Sequence, residues 1–90
     1  MPGRRIATST FEDVESDCRQ LNEQLGFPMF RVRREGTNLV LDENTALKHH
    51  RLPQLVKHAP QWSELMLSDA PKLTMFLEGI SFALWIASQV

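Results

Sequence analysis

Arginines alternate with apolar residues in the segment 30–41, which reads FRVRREGTNLVL. In an extended strand, successive side chains point to opposite faces, so Arg31 and Arg33 share one face and Arg34 lies at the following turn. Guanidinium groups bind carboxylates and phosphates through paired N–H donors. This segment is therefore the first candidate for a surface that binds an acidic protein or a nucleic acid.

The basic residues cluster in the middle of a chain whose formal net charge is only −1. Residues 29–58 contain six basic and three acidic side chains, whereas the segments on either side each sum to −2. The candidate partner-binding residues are Arg31, Arg33, Arg34, Lys48 and Arg51. Because the net charge is small and the outer strand face has no aromatic platform for bases, an acidic protein partner is favoured and a nucleic acid is the alternative.

Cysteine and histidine side chains form no pattern typical of catalysis or metal binding. His49, His50 and His58 lack a spaced second pair of ligands, so neither a metal nor another cofactor is expected. Cys18 lies on an apolar helical stripe, where a buried thiol is unreactive. The sequence contains no phosphate loop, dinucleotide fingerprint or nucleophile elbow, and no carboxylate pair placed for acid–base catalysis. We therefore expect a non-catalytic protein.

The first element that positions these residues is a helix predicted over 10–25. Its start fits a capping box, Ser9-Thr10-Phe11-Glu12, with a hydroxyl at the N-cap and a carboxylate three residues later. Gly26 and Pro28 end it. Apolar residues follow one another at spacings of three and four, at Phe11, Val14, Cys18, Leu21 and Leu25. This narrow stripe is typical of an amphipathic helix with one buried face.

A β-hairpin is predicted next, with strands at 29–34 and 37–42 and Gly36 in the turn. The side chains expected to point to the core are Phe30, Val32, Leu39 and Leu41. Two strands alone are marginally stable in water, so the first helix is expected to cover this face. A third strand could come from residues 4–8 or from a second subunit.

Residues 43–68 are harder to assign. Asp42 or Asn44 could cap a short helix that runs through Ala46, Leu47 and His50, and Pro53 suits the first turn of another at 53–58. Apolar residues at 61–67 fit helical spacing, but part of this segment could equally form a buried strand.

The last helix is predicted over 70–88, capped by Ser68 or Asp69 and with Pro71 in its first turn. Its apolar residues cover roughly 220° of the helix surface, about twice the stripe expected of a surface helix. One arc contains Leu73, Phe76, Leu77, Ile80, Ala83, Leu84 and Ala87. The adjacent arc contains Met75, Gly79, Phe82, Ile86 and Val90. This second arc is either a self-association surface or a face covered by residues 43–68.

Ninety residues are expected to form a single domain, 1–90, near the lower size limit for a self-sufficient core. The single cysteine excludes an intrachain disulfide, and together with the lack of a signal peptide it predicts a cytoplasmic location. The apolar stretch 75–90 is shorter than a membrane span and contains Glu78, so no membrane association is expected.

Together these patterns predict an α+β protein with an N-terminal amphipathic helix, a β-hairpin, short helices and a long apolar C-terminal helix. The expected function is that of a small non-catalytic interaction or regulatory protein, of the inhibitor or adaptor type. We expect its basic hairpin to face an acidic protein partner and its C-terminal helix to form a homodimer. The alternative is a nucleic-acid-binding regulator that uses the basic segment 31–57.

Overall fold

The computed structural model describes residues 9–48, 52 and 59–89. In this part of the chain a three-stranded antiparallel sheet, in the order β1-β2-β3, follows one helix and precedes another. The elements are α1 (Phe11–Leu25), β1 (Phe30–Glu35), β2 (Asn38–Asn44), a 3-10 turn (Ala46–Lys48), β3 (Trp62–Ser68) and α2 (Ala70–Ser88). The predicted α+β class is confirmed.

Helix α1 has the predicted capping box, but one residue further along the chain. Thr10, not Ser9, is the N-cap, because Asp13 rather than Glu12 completes the reciprocal pair. The Asp13 N–H donates to Thr10 Oγ1 at 3.4 Å, and the Thr10 N–H donates to Asp13 Oδ2 at 2.9 Å. Gly26 ends the helix at a φ of 84°, as predicted.

The hairpin turn lies one residue further along the chain than predicted. Glu35 pairs with Asn38, so only Gly36 and Thr37 connect the strands, and Gly36 has a φ of 62°. Glycine adopts this left-handed conformation without a steric penalty. Arg34 therefore belongs to β1 and not to the turn.

The core lies between one face of the sheet and both helices. The predicted hairpin face is confirmed, because Phe30, Leu39 and Leu41 are buried there and Val32 is partly buried. The helix residues that complete this core are Val14, Cys18 and Leu21 from α1 and Leu73 and Leu77 from α2. Burying each large apolar side chain stabilises the fold by about 1.5–3 kcal/mol.

Strand β3 resolves the segment that the sequence left open. It pairs antiparallel with β2, and the register shifts between Leu41 and Asp42, so that Leu65 has no partner. The segment forms a strand, but not the buried strand that was one of the two alternatives, since Leu65 is 41% and Leu67 48% exposed. It is stabilised by pairing with β2 instead of by burial of both its faces.

A short helix was expected after β2. The described residues of this segment form only a 3-10 turn, Ala46–Lys48. Asn44 Oδ1 accepts the Ala46 N–H at 3.0 Å, which fits its expected role as a cap, whereas Asp42 lies within β2. The predicted third strand at 4–8 and the predicted helix at 53–58 lie outside the described residues.

Helix α2 has the predicted bounds. Asp69, the second of the two proposed caps, accepts the Lys72 N–H at 3.0 Å, and Pro71 lies in the first turn. Neither α1 nor α2 is both long and apolar enough to cross a membrane.

Two asparagine side chains fix the ends of the hairpin. Asn22 Oδ1 accepts the N–H groups of Met29 and Phe30, at 2.8 and 3.0 Å, and so holds the start of β1 against α1. Asn44 Nδ2 donates to Pro28 O at 2.7 Å. These bonds satisfy backbone groups that the loop 26–29 leaves without sheet partners. They fix the position of the start of β1 relative to α1 and to the end of β2.

Candidate partner-binding surfaces

Asp42 is the central residue of the outer face of the sheet, the face that the helices do not cover. It lies on the middle strand opposite Arg31, and its side chain is only 3% exposed. Its Oδ2 accepts the Nε–H of Arg31 at 2.9 Å and the Nε–H of Arg33 at 3.0 Å. One buried carboxylate therefore holds two arginines that the sequence assigned to partner binding.

The charges of this cluster support one another. Burial raises the pKa of the Asp42 carboxyl, but the hydrogen bonds and positive charges of Arg31 and Arg33 outweigh it and hold the pKa below its ordinary value. The hydrogen bond to Asp42 raises the pKa of Arg33, assisted by the charges of Asp42, Glu35 and Glu64. Asp42 is therefore ionised at neutral pH and balances part of the arginine charge.

Trp62 also lies beside this cluster, which corrects the expectation of an outer face without an aromatic residue. The guanidinium carbon of Arg31 lies 4.7 Å from the centroid of the Trp62 ring, within cation–π range. Trp62 is the cross-strand partner of Asn44. Sequence reasoning missed it because 61–67 was not assigned to the sheet.

Arg34 lies on the opposite face from Arg31 and Arg33. Its guanidinium lies 4.4 Å from the centroid of the Phe11 ring, and its Nη2 is 3.9 Å from Glu12 Oε1. Arg34 thus contacts the first turn of α1, on the helix side of the sheet. Lys48 is exposed at the end of the 3-10 turn, and Arg51 lies outside the described residues.

Acidic residues accompany the arginines on the outer face. Glu35 Oε2 lies 3.4 Å from Arg33 Nη1, and Glu64 is the cross-strand partner of Asp42. The two arginines and the three acids, Asp42, Glu35 and Glu64, therefore sum to a charge of −1 on this part of the surface. The positive charge of segment 29–58 is not concentrated at this site.

The second surface is the apolar face of α2, formed by Met75, Gly79, Phe82 and Ile86. Met75 and Phe82 are each 61% exposed and Ile86 is 44% exposed. Gly79 is also exposed, and a Cβ added to it would meet no atom within 4 Å. Residues 43–68 were the alternative cover for this face, and their described part leaves it open.

Two more aromatic residues extend the exposed apolar surface beside this face. Trp85 is 55% exposed, and its ring stacks on Phe82 with the centroids 6.1 Å apart. Phe76 shares the first apolar arc with Leu73 and Leu77 but is 37% exposed, because the core contacts of α2 centre on those two leucines. The exposed apolar surface is therefore wider than the sequence indicated.

Cys18 lies in the core, as its position on the α1 stripe predicted. Burial, assisted by the negative charges of Asp17 and Glu15, raises the pKa of its thiol to about 12. A thiol with this pKa remains protonated at neutral pH and is a poor nucleophile. No group of three or more metal-ligating side chains occurs within 9–48, 52 and 59–89, and the three histidines lie outside these residues.

The fold and these surfaces define a small two-layer α+β domain with one polar and one apolar candidate binding surface. Comparisons of the chain with protein-family models, with curated proteins and with solved structures found no match. Its function must therefore be inferred from its own residues and their arrangement.

Proposed function

We propose that this chain is a non-catalytic protein-interaction domain of the inhibitor or adaptor type. It binds carboxylate side chains of an acidic protein partner through Arg31 and Arg33. The observation that carries this proposal is the pair of Nε bonds to buried Asp42, which hold both arginines by one edge. The terminal Nη groups of Arg31 make no hydrogen bond to another described residue and can donate to a partner.

The arrangement supports binding because the arginines are already ordered. Both Nε atoms bond to one oxygen, and their side chains are still 49% and 46% exposed. A free arginine side chain loses about 2 kcal/mol of rotamer entropy when it is fixed, and Asp42 and Trp62 reduce that loss here. A carboxylate that approaches the free edge of Arg31 can accept two parallel N–H bonds.

The local charge favours a few carboxylates over a polyanion. Nucleic acid binding needs several cations that displace counterions along a phosphate backbone. Here Glu35 and Glu64 lie beside the arginines and repel a dense row of phosphates. A paired guanidinium–carboxylate contact acts at short range and tolerates such neighbours.

Nucleic acid binding is the second candidate, and the contact between Arg31 and Trp62 is the observation that favours it. Bases commonly stack on aromatic rings beside basic side chains. However, the Arg31 guanidinium already covers one face of the Trp62 ring. We therefore rank this function below carboxylate binding. The predicted cytoplasmic location forms part of the proposal, and the protonated core thiol of Cys18 is compatible with it.

A peptide titration tests the proposal. The probe is a twelve-residue peptide that alternates Glu and Ser, and the matched control replaces every Glu by Gln. A Trp85→Phe background leaves Trp62 as the only fluorophore, so contact with Arg31 is read directly. We expect micromolar binding of the Glu peptide, at least tenfold weaker in Arg31→Gln, since one charge-assisted pair contributes about 1.5–3 kcal/mol.

Arg34→Gln is the control for charge, because it removes the same charge from the opposite face and should leave the affinity unchanged. A parallel titration with single-stranded DNA tests the second candidate. Tighter binding of DNA with a steep salt dependence would transfer the proposal to nucleic acid. Failure of the Glu peptide to bind at low salt would overturn the carboxylate site.

A further inference from the structure

Helix α2 carries more apolar surface than the fold of one chain uses. Leu73 and Leu77 are fully buried and complete the core. Met75 and Phe82 lie on the other side of the helix and are mostly exposed. A contiguous exposed apolar face of this kind marks a contact surface.

We propose that two copies of this chain pair through the apolar face of α2, antiparallel, about a two-fold axis at Gly79. This dimer extends beyond carboxylate binding and does not depend on it, since Arg31 and Arg33 lie on the outer face of the sheet. The dimer carries two copies of that arginine pair.

The shape of the face favours a second copy as its occupant. A two-fold contact requires one surface to fit itself, so it must contain both projections and a gap. Met75 and Phe82 precede and follow Gly79 along the helix, and Gly79 has no side chain and open space where a Cβ would lie. At 1.5 Å per residue, Met75 lies about 6 Å and Phe82 about 4.5 Å from an axis at Gly79.

The antiparallel arrangement therefore places Phe82 of one copy beside Met75 of the other. Ile86 lies seven residues after Gly79 and Lys72 seven residues before it, so these two also become neighbours across the axis. The aliphatic stem of Lys72 covers Ile86, and its amine remains in water. Gly79 allows the two backbones to approach closely at the crossing point.

The exposed area agrees with a weak, specific dimer. Met75, Phe76, Phe82, Trp85 and Ile86 each expose on the order of 100 Å². Complete burial of all five in both copies would remove about 1,000 Å² from water, which lies at the low end for specific interfaces and is typical of weak, transient contacts. The four residues of the apolar face carry no charge, and the charged side chains Lys72 and Glu78 lie at its two edges.

The main test is sedimentation equilibrium of the full chain over about 1–100 µM, with the wild type compared with Gly79→Leu. We expect the wild type to change from monomer to dimer across this range. The Cβ of the leucine meets no atom of the monomer within 4 Å, whereas its side chain occupies the crossing point of the proposed dimer. We therefore expect Gly79→Leu to raise the dissociation constant at least tenfold while it retains the wild-type helical circular dichroism.

The matched control is Ala87→Leu, which adds the same apolar side chain to an exposed site on α2 outside the face. It should leave the dissociation constant within about twofold of the wild type. If Gly79→Leu instead strengthens association, the contact is an unspecific apolar one and the proposed crossing is wrong. A wild-type chain that is monomeric at about 100 µM overturns the dimer, whatever the outcome of the peptide titration.

A mixing experiment tests the antiparallel arrangement. A Met75→Glu chain and a Phe82→Lys chain should each be monomeric when alone. In either homodimer, both symmetry-related contacts would place a charged side chain against an apolar one. When the two chains are mixed, an antiparallel heterodimer places the introduced glutamate at position 75 beside the introduced lysine at position 82. The other contact is then the unchanged pair of Phe82 and Met75. Heterodimers in the mixture support the proposal, and their absence beside an intact wild-type dimer overturns the antiparallel register.

Discussion

The outer face of the sheet and the apolar face of α2 differ in how far their main side chains are exposed to water and in whether the chain itself supplies their partners. On the sheet, the Asp42 carboxylate is almost completely buried and accepts bonds from two arginines. On the helix, Phe82 and Met75 are among the most exposed large apolar side chains of the described residues. The sheet surface therefore supplies partners for its buried carboxylate from within the chain, whereas the exposed apolar side chains of α2 are not covered by the described residues.

This difference separates stability from recognition. A buried carboxylate needs its partners within the same chain, so Asp42 contributes to the fold and orders the arginines at the same time. An exposed phenyl ring on a helix adds little to the stability of one chain and gains most when a second surface covers it. We therefore expect substitutions at the two surfaces to affect different measurements.

The largest expected effect compares the two sides of α2 directly. Leu77→Ala removes a fully buried side chain and should lower the free energy of unfolding by about 3 kcal/mol. Ile86→Ala removes a side chain that is 44% exposed and should cost less than about 1 kcal/mol in the monomer. Urea unfolding at about 1 µM, where the proposed dimer is dissociated, measures both. Equal losses would mean that the apolar face of α2 is covered within the chain.

Asp42→Ala should give the next largest effect, a loss of about 2 kcal/mol, because two charge-assisted hydrogen bonds disappear. Arg31 and Arg33 are half exposed and recover part of their hydration, so the loss is smaller than for a wholly buried pair. Glu64→Ala is the matched control, since it removes an exposed carboxylate from the same face and should cost less than about 0.5 kcal/mol. A loss at Asp42 no larger than this control would contradict the structural role given to that carboxylate.

The sequence predicted the face of these arginines but not their acidic partner, and the reason is the hairpin register. The predicted strand ends place Arg34 opposite Thr37, whereas the chain pairs Arg34 with Leu39. A shift of two residues leaves every side chain on its predicted face. It also moves the cross-strand partner of Arg31 from Val40 to Asp42, so the ion pair could not be seen before the turn was known.

Local signals were sufficient elsewhere. The stripe and caps of α1 and the Asp69 cap and Pro71 of α2 gave helix bounds within one residue of those observed. Strand β3 could not be predicted in this way, because its residues fit two periodicities and its pairing partner β2 is distant along the chain. Trp62 reaches Arg31 only through that long-range pairing.

The lowered pKa of Asp42 makes the stability difference between wild type and Asp42→Asn depend on pH. A carboxyl whose pKa is lower in the folded state stabilises the fold above its ordinary pKa, near 4, and loses this contribution as the pH falls through the lowered value. Urea unfolding from about pH 7 to pH 2 should therefore give a constant difference down to about pH 4 and a shrinking one below it. A difference that shrinks already above about pH 5 would show that Asp42 is not the stabilised group.

The smallest expected effect is the change in stability on replacing a glycine by alanine, and its sign should differ between Gly79 of α2 and Gly36 of the hairpin turn. Gly79→Ala should raise the free energy of unfolding of the monomer by about 0.5–1 kcal/mol, because Gly79 is an exposed helical residue and the added methyl meets no atom. The same substitution at Gly36 should lower it by about 1 kcal/mol, since alanine is strained at a φ of 62°. Thermal unfolding of both variants at about 1 µM measures these shifts without the dimer. If Gly79→Ala stabilises the monomer and weakens self-association at higher concentration, the glycine is explained by the close approach of a second helix and not by the fold of one chain.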